Sequence, residues 1–100
     1  MLKTLRKVKQ EIYDTSVYLE IYGDNKTAYR VISGKTDTLG TPSQVYGIEV
    51  QDCTTGETES IPDFSKSVED AVSFTGLLVK NRCRPKNIYS LALGYLKSFI

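Results

Sequence analysis

The sequence of 100 residues contains no histidine and no tryptophan, and it has only two cysteines. Histidine is the commonest general base and metal ligand at neutral pH, so its absence excludes Ser-His-Asp and Cys-His catalytic arrangements. It also removes most zinc sites, because two cysteines do not make a closed set of ligands. We therefore expect a protein that is not an enzyme, with no catalytic residue, no metal site and no cofactor.

The two cysteines, Cys53 and Cys83, stand far apart and form no CxxC motif. Reduced, partly buried thiols are the simplest interpretation, and a disulfide or a reactive thiol stays open as an alternative.

Long apolar runs are also lacking: none approaches the ~18 residues needed to span a bilayer. The N-terminus is basic but has no apolar core of a signal peptide. We therefore expect a cytoplasmic protein with no membrane partner. The net charge of +1 gives no global reason for nucleic-acid binding. Charge is nevertheless segregated, since residues 1–10 and 80–86 are basic without an acid and residues 49–70 are mainly acidic.

Alternating apolar residues predict an antiparallel meander. Residues 16–22 and 27–33 read as two strands joined by the turn GDNK. Residues 45–53 give a third strand, and residues 58–61 a short fourth strand at an edge, ending at Pro62.

Between the second and third strands, residues 35–44 (KTDTLGTPSQ) are polar and contain Gly40 and Pro42. This composition predicts a loop long enough to act as a lid. We expect Gly34 to end the second strand.

Gly34, Lys35 and Thr36 match the end of a phosphate-binding loop, G-x-x-x-x-G-K-[ST]. Tyr29, inside a predicted strand, occupies the position of the first glycine. No helix can follow Thr36, so both the bend and the helix N-terminus that hold phosphate are missing. We interpret the match as accidental.

After Pro62 the apolar spacing becomes that of an amphipathic helix, from residue 67 to about 81. Ser65 or Ser67 can cap it. Pro85 favours the first turn of a second helix that continues to the C-terminus.

Two helices after a meander pack most simply on one face of the sheet. The prediction is a single α+β domain over residues 1–100, an antiparallel meander of three to four strands followed by two C-terminal helices packed on one face. For residues 1–14 the sequence leaves open whether they form a helix, a solvated strand or a disordered segment.

The basic segment KNRCRPK, residues 80–86, gives a candidate anion-binding site at Arg82, Arg84 and Lys86, beside the start of the second helix. A solvated interhelix loop is the alternative. Because the helix after Pro85 is mostly apolar, it differs from a recognition helix that reads bases.

Seven tyrosines and an apolar final helix suggest a surface that meets a partner. If Tyr46 points inward, the tyrosines of the first two strands are expected on the sheet face away from the helices, although packing in the core is the alternative. The candidate interface residues are Tyr18, Tyr22, Tyr29, Leu93, Leu96 and Ile100.

Two motifs carry a family resemblance. The first is the strand Tyr46-Gly47-Ile48-Glu49, and the second is an Asn-x-x-x-Pro-x-x-Ile start of the final helix. The second motif comprises Asn81, Pro85 and Ile88, with Gly94 and Tyr95 near the end of the helix. Residues 16–97 resemble a family of uncharacterised proteins of similar length from clostridia and related Gram-positive bacteria. Arg84 departs from the small capping residue of that pattern. The resemblance implies a cytoplasmic domain of unknown function and transfers no site residue.

The sequence thus favours a non-enzymatic protein-interaction or regulatory module that forms a homodimer. One alternative is anion or nucleic-acid binding through the basic interhelix loop and the N-terminus. Another is small-ligand binding under the 35–44 loop.

Overall fold

The computed structural model describes residues 11–97. One antiparallel sheet has the strand order β1-β2-β3-β4, so every strand pairs with its neighbours in sequence. The two helices follow, and the second begins directly after a 3-10 turn at Pro85–Asn87. The elements are β1 Tyr13–Tyr22, β2 Thr27–Thr38, β3 Thr41–Asp52, β4 Thr58–Ser65, α1 Val68–Lys80 and α2 Ile88–Lys97. This architecture confirms the predicted α+β meander with two C-terminal helices.

The question left open for residues 1–14 lies mostly outside the described residues, but Tyr13 and Asp14 belong to β1.

The core lies between the two central strands and the helices. Alternate residues of β2 and β3 point to one face of the sheet because successive strand side chains alternate. These residues pack against α1 and α2 on what we call the helix face. The buried cluster includes Tyr29, Val31, Ile48, Val50, Ala71, Phe74, Leu78, Ile88 and Ala92. The opposite face, which carries Arg30, Ile32 and Glu49, is called the open face.

The predicted boundaries of α1 are confirmed to within a residue at each end. Ser67 is the N-cap, and its hydroxyl accepts a hydrogen bond from the Asp70 backbone N–H at 3.3 Å. Glu69 and Asp70 lie in the first turn and Lys80 in the last turn, which suits the helix dipole at both ends.

The prediction of a loop at residues 35–44 is wrong. β2 continues to Thr38 and β3 begins at Thr41, so Lys35 pairs with Gln44 and Asp37 pairs with Pro42. Leu39 and Gly40 form the turn, and their φ angles of 54° and 79° are both positive, as a type I′ hairpin turn requires. Polar side chains are compatible with these strands because cross-strand backbone hydrogen bonds need no apolar face.

Gly34 therefore does not end β2 but lies inside it, opposite Val45. No helix follows Thr36, which agrees with the interpretation of the Gly-Lys-Thr match as accidental.

β4 also runs past its predicted end at Pro62 to Ser65. The register changes between the pairs Ile48–Ile61 and Tyr46–Ser65, so four steps along β4 match two along β3. Pro62 is tolerated because it lies in this bulge of an edge strand, where no ladder hydrogen bond needs its missing N–H.

Candidate functional site

The predicted anion-binding residues lie where three connections meet at one end of the sheet: the β1–β2 turn, the β3–β4 turn and the interhelix loop. Arg82 is exposed and pairs with Asp24 at 3.1 Å. Arg84 is half-buried and bonds to the buried carboxylate of Asp52. Lys86 is exposed on the 3-10 turn.

Arg84 lies in the interhelix loop and forms hydrogen bonds with residues of the other two connections. Its guanidinium donates to the Thr27 hydroxyl at 3.1 Å and to the Asn25 carbonyl at 3.2 Å, in addition to Asp52. Asp52 also accepts hydrogen bonds from the backbone N–H groups of Thr54 and Thr55, at 2.8 and 3.2 Å. The hydrogen bond from Thr54 is the main reason that the pKa of Asp52 is lowered below its ordinary value. The charges of Arg82 and Arg84 are thus used within the chain.

Tyr29 is a core residue and does not form part of an exposed interface, which corrects the prediction. Its side chain is 0% exposed, and its hydroxyl donates to the Cys83 carbonyl at 3.0 Å. The pairing of Tyr29 with Val50 places it on the helix face. The sequence could not show this because a shift of one residue in register moves every side chain to the other face.

The exposed tyrosines lie on β1, which is an edge of the sheet. Tyr18 and Tyr22 are 56% and 66% exposed, respectively. Tyr22 pairs with Ala28 on the open face, whereas the ring of Tyr18 meets the ring of Tyr46 edge-on at 5.9 Å. Tyr46 packs against the core, so Tyr18 lies toward the helix face. Only Tyr22 of the three predicted tyrosines therefore lies on the open face.

Sequence reasoning missed two further exposed residues of this edge, Tyr13 and Val17. Irregularities in the β1–β2 register, between Tyr13 and Ser16 and between Val17 and Leu19, interrupt the alternation. Val17, paired with Ile32, is 54% exposed as a result. The interrupted alternation is visible in sequence only as a run of apolar neighbours, Val17, Tyr18 and Leu19.

The two edges of the sheet differ in how they meet solvent. β1 contains no proline, lysine or arginine, and its charged residues are Asp14 and Glu20. β4 contains Pro62, Asp63 and a bulge, features that oppose edge-to-edge pairing. In addition, the Tyr89 hydroxyl of α2 donates to the Ser60 carbonyl of β4 at 2.6 Å.

The final helix gives a second exposed apolar surface. Leu93 is 63% exposed on α2, and a shallow groove of about 290 Å³ separates α1 from α2 beside Leu77 and Gly94. Leu96 lies in α2, and Ile100 lies outside the described residues. The basic residues of the N-terminal segment also lie outside them.

A concavity of about 480 Å³ lies on the open face, and we call it the open-face trough. Its floor is formed by Ile32, Gly34 and Gly47 of the two central strands. Ile12 and Thr15 form one wall, while Pro62 and Asp63 of the β4 bulge form the other.

Beside this trough, Arg30 joins three strands of the open face. Its guanidinium donates to Glu20 of β1 at 2.5 Å and to Glu49 and Gln51 of β3 at 3.0 Å each. The hydrogen bond to Glu20 is the main cause that raises the pKa of Arg30 above its ordinary value. Arg30 is therefore charged and already forms ion pairs with two carboxylates.

Among residues 11–97, no helix is long and apolar enough to cross a membrane. The same part of the chain holds no group of three or more potential metal ligands. Both thiols are free, with Cys53 exposed and Cys83 buried, and burial raises the pKa of the Cys83 thiol.

The chain is similar to a known protein family. The model of a family described as "Family of unknown function (DUF6514)" matches residues 8–96. No curated protein and no solved structure matches the chain.

Proposed function

Since the chain belongs to this family of unknown function, we propose its role from its surfaces: it is a non-enzymatic protein-association module that forms a homodimer through the edge of β1. The single observation that carries the proposal is the exposure of Val17, Tyr18 and Tyr22 along a ten-residue edge strand. The proposal includes the cytoplasmic location and clostridial origin expected from the sequence.

An edge strand presents a row of backbone N–H and C=O groups that another strand can pair with. β1 spans roughly 33 Å, at about 3.3 Å per residue. Large exposed side chains alongside these groups add apolar area to the backbone pairing. Aromatic residues of this kind are enriched at protein interfaces.

A second copy of the chain suits this edge. A two-fold axis brings the same strand of both copies together in antiparallel orientation, so one self-complementary strand is sufficient. Charge does not oppose the pairing strongly, because Glu20 forms an ion pair with Arg30 and Asp14 lies near the end of the strand.

Sedimentation equilibrium tests the proposal. The wild-type protein should be a dimer, and Val17→Lys should weaken dimerisation at least about tenfold, because a lysine at a sheet edge opposes pairing. Thr58→Lys, an exposed position on the opposite edge, is the matched control and should leave the dimer intact.

Circular dichroism and urea unfolding should show that both variants stay folded. A wild-type protein that remains monomeric at the highest attainable concentration would contradict homodimerisation. A dimer that Val17→Lys leaves intact, or that both lysines weaken equally, would contradict an interface at β1.

The alternatives have weaker support. Arg82 and Arg84 face carboxylates of their own chain, so an external anion would have to compete with Asp24 and Asp52. The hypothesis of ligand binding under a 35–44 loop is no longer supported, because these residues form the end of a hairpin.

A further inference from the structure

We infer that the open-face trough is a binding site for a small organic cation, an amine or guanidine carried on a compact apolar body. This inference goes beyond the proposed dimer and does not depend on whether β1 pairs with a second copy.

The shape of the trough follows from two strand glycines. A Cβ at Gly34 would lie 2.6 Å from Cγ2 of Ile12, and a Cβ at Gly47 would lie 2.5 Å from the Pro62 carbonyl oxygen. Real side chains essentially never approach so closely, so both walls descend onto the sheet only because these positions lack side chains. The result is a concave space between two walls.

The size and lining of the trough suit a small molecule. Its volume of about 480 Å³ falls in the range of roughly 300 to 1,000 Å³ that is typical of ligand sites. Ile12, Ile32 and Pro62 supply apolar surface, whereas Thr15, Glu49 and Asp63 supply a few polar groups. An apolar body with one polar end matches this combination.

The charge of the trough decides the sign of the ligand. Its described lining residues include the carboxylates Glu49 and Asp63 but no lysine or arginine. The neighbouring Arg30 bonds to both Glu20 and Glu49, so one guanidinium faces two carboxylates. Asp63 forms no ion pair within residues 11–97. Among residues 11–97, this excess of negative charge favours a cation over an anion at the trough.

The two carboxylates have different roles in this site. Glu49 is half-buried and held by Arg30 at 3.0 Å, so it contributes a fixed negative potential beside the floor. Asp63 is exposed on the β4 wall and can turn toward a bound ammonium group. Asp63 is therefore the residue whose removal tests cation binding with the least disturbance of the fold.

An NMR titration of the full chain with three probes of six carbon atoms each provides the test. Hexylammonium, hexanol and hexanoate differ mainly in charge. Hexylammonium should shift the amide signals of Gly34 and Gly47 and the methyl signals of Ile12 and Ile32 in a saturable way. It should bind at least about tenfold more tightly than either other probe, which corresponds to about 1.4 kcal/mol.

Two variants and one control variant sharpen the result. Asp63→Asn should weaken hexylammonium binding about fivefold, in line with an exposed charge contact, and leave hexanol binding unchanged. Glu57→Gln removes the same charge from an exposed position outside the trough and is the matched control. Thr15→Phe, at an exposed wall position, should fill the space and abolish binding of all three probes.

Several outcomes would overturn the inference. Equal binding of the three probes would show an apolar surface without charge selection, and preferred binding of hexanoate would reverse the sign of the site. Absence of saturable shifts would show that the trough binds no such ligand. If the tripeptide Gly-Lys-Gly bound the same residues more tightly than hexylammonium, the site would take a lysine of a protein partner instead. Amide signals of Gly47, which lies on β3 away from the β1 edge, would assign the face to a contact between copies if they changed with protein concentration alone.

Discussion

Gly47 determines how closely β4 can approach the centre of the sheet. A methyl group at this position would lie 2.5 Å from the Pro62 carbonyl and 2.9 Å from the Ile61 carbonyl, both of them backbone atoms. The strand would have to move, because backbone atoms cannot rotate away as a flexible side chain can. The resemblance motif Tyr46-Gly47-Ile48-Glu49 thus contains a glycine with a packing reason.

We predict that Gly47→Ala lowers the free energy of unfolding by about 1–3 kcal/mol, the usual cost of overpacking. Urea denaturation measures this loss. Gly76→Ala is the matched control, since a Cβ there meets nothing within 4 Å in the exposed middle of α1. It should raise stability by about 0.5–1 kcal/mol, because alanine favours the helix over glycine. Equal effects of the two substitutions would contradict the close approach at Gly47.

The carboxylate of Asp52 makes the stability of the fold sensitive to acid. Its pKa in the folded protein lies below the ordinary value of 3.8, chiefly because the Thr54 N–H bonds to the charged form. A lowered folded pKa gives stability that is present above the unfolded pKa and is lost as pH falls through the folded value. The Asp52 contribution therefore disappears on the acid side of about pH 4.

Asp52→Asn should consequently be less stable than the wild type at neutral pH, and the difference should shrink as pH falls below about 4. Urea midpoints measured from neutral to strongly acid pH test this. The exposed Asp24–Arg82 pair supplies the control, because Asp24→Asn should change stability by no more than ~1 kcal/mol. A difference between wild type and Asp52→Asn that is constant with pH would contradict the assignment.

At the scale of elements, the hairpin of β2 and β3 shows what composition alone misses. Residues 35–44 form the far end of the hairpin, where most side chains are exposed to solvent. The buried part of the pair centres on Tyr29, Val31, Ile48 and Val50. Gly40 and Pro42, which usually indicate a loop, instead serve the two-residue turn and the strand end after it. Periodicity predicts strands only where one face is buried.

Leu39 occupies a turn position that suits asparagine better. Its φ is 54° and its side chain is fully exposed, so it gains no burial to offset the left-handed conformation. We predict that Leu39→Asn raises the free energy of unfolding by about 0.5–1 kcal/mol, because Asn-Gly favours a type I′ turn. Thermal unfolding provides the measurement, and Leu39→Val should destabilise as the opposite control. A loss of stability in Leu39→Asn would argue against the positive φ.

The helices were predictable in more detail than the strands. α1 has an apolar stripe, a serine cap and charges that suit both ends, and all of these are local in sequence. The candidate interface on β1 depended instead on register, which sequence does not give. Tyr18, Tyr22 and Leu93 are exposed as the interface prediction requires, whereas Tyr29 is buried by its pairing with Val50.

At the scale of the whole molecule, hydrogen exchange should separate the centre of the sheet from its edges. β2 and β3 pair on both sides and carry much of the core, so their amides should exchange slowest. The outward-facing amides of β1 should exchange quickly in dilute protein and gain protection as the concentration rises, because dimerisation through this edge pairs them. β4 serves as the internal control and should not change. Protection of β1 that does not depend on concentration would contradict its role in dimerisation.

The sequence by itself determined the order and type of elements, because alternation in strands and a 3.6-residue stripe in helices are local patterns of burial. It also determined that chemistry based on histidine is absent. Only the tertiary structure decided which face each strand residue occupies, since bulges and register depend on contacts between distant segments. For the same reason, the ion pairs of Arg82 and Arg84, the burial of Tyr29 and the trough over Gly34 and Gly47 became visible only in the folded chain.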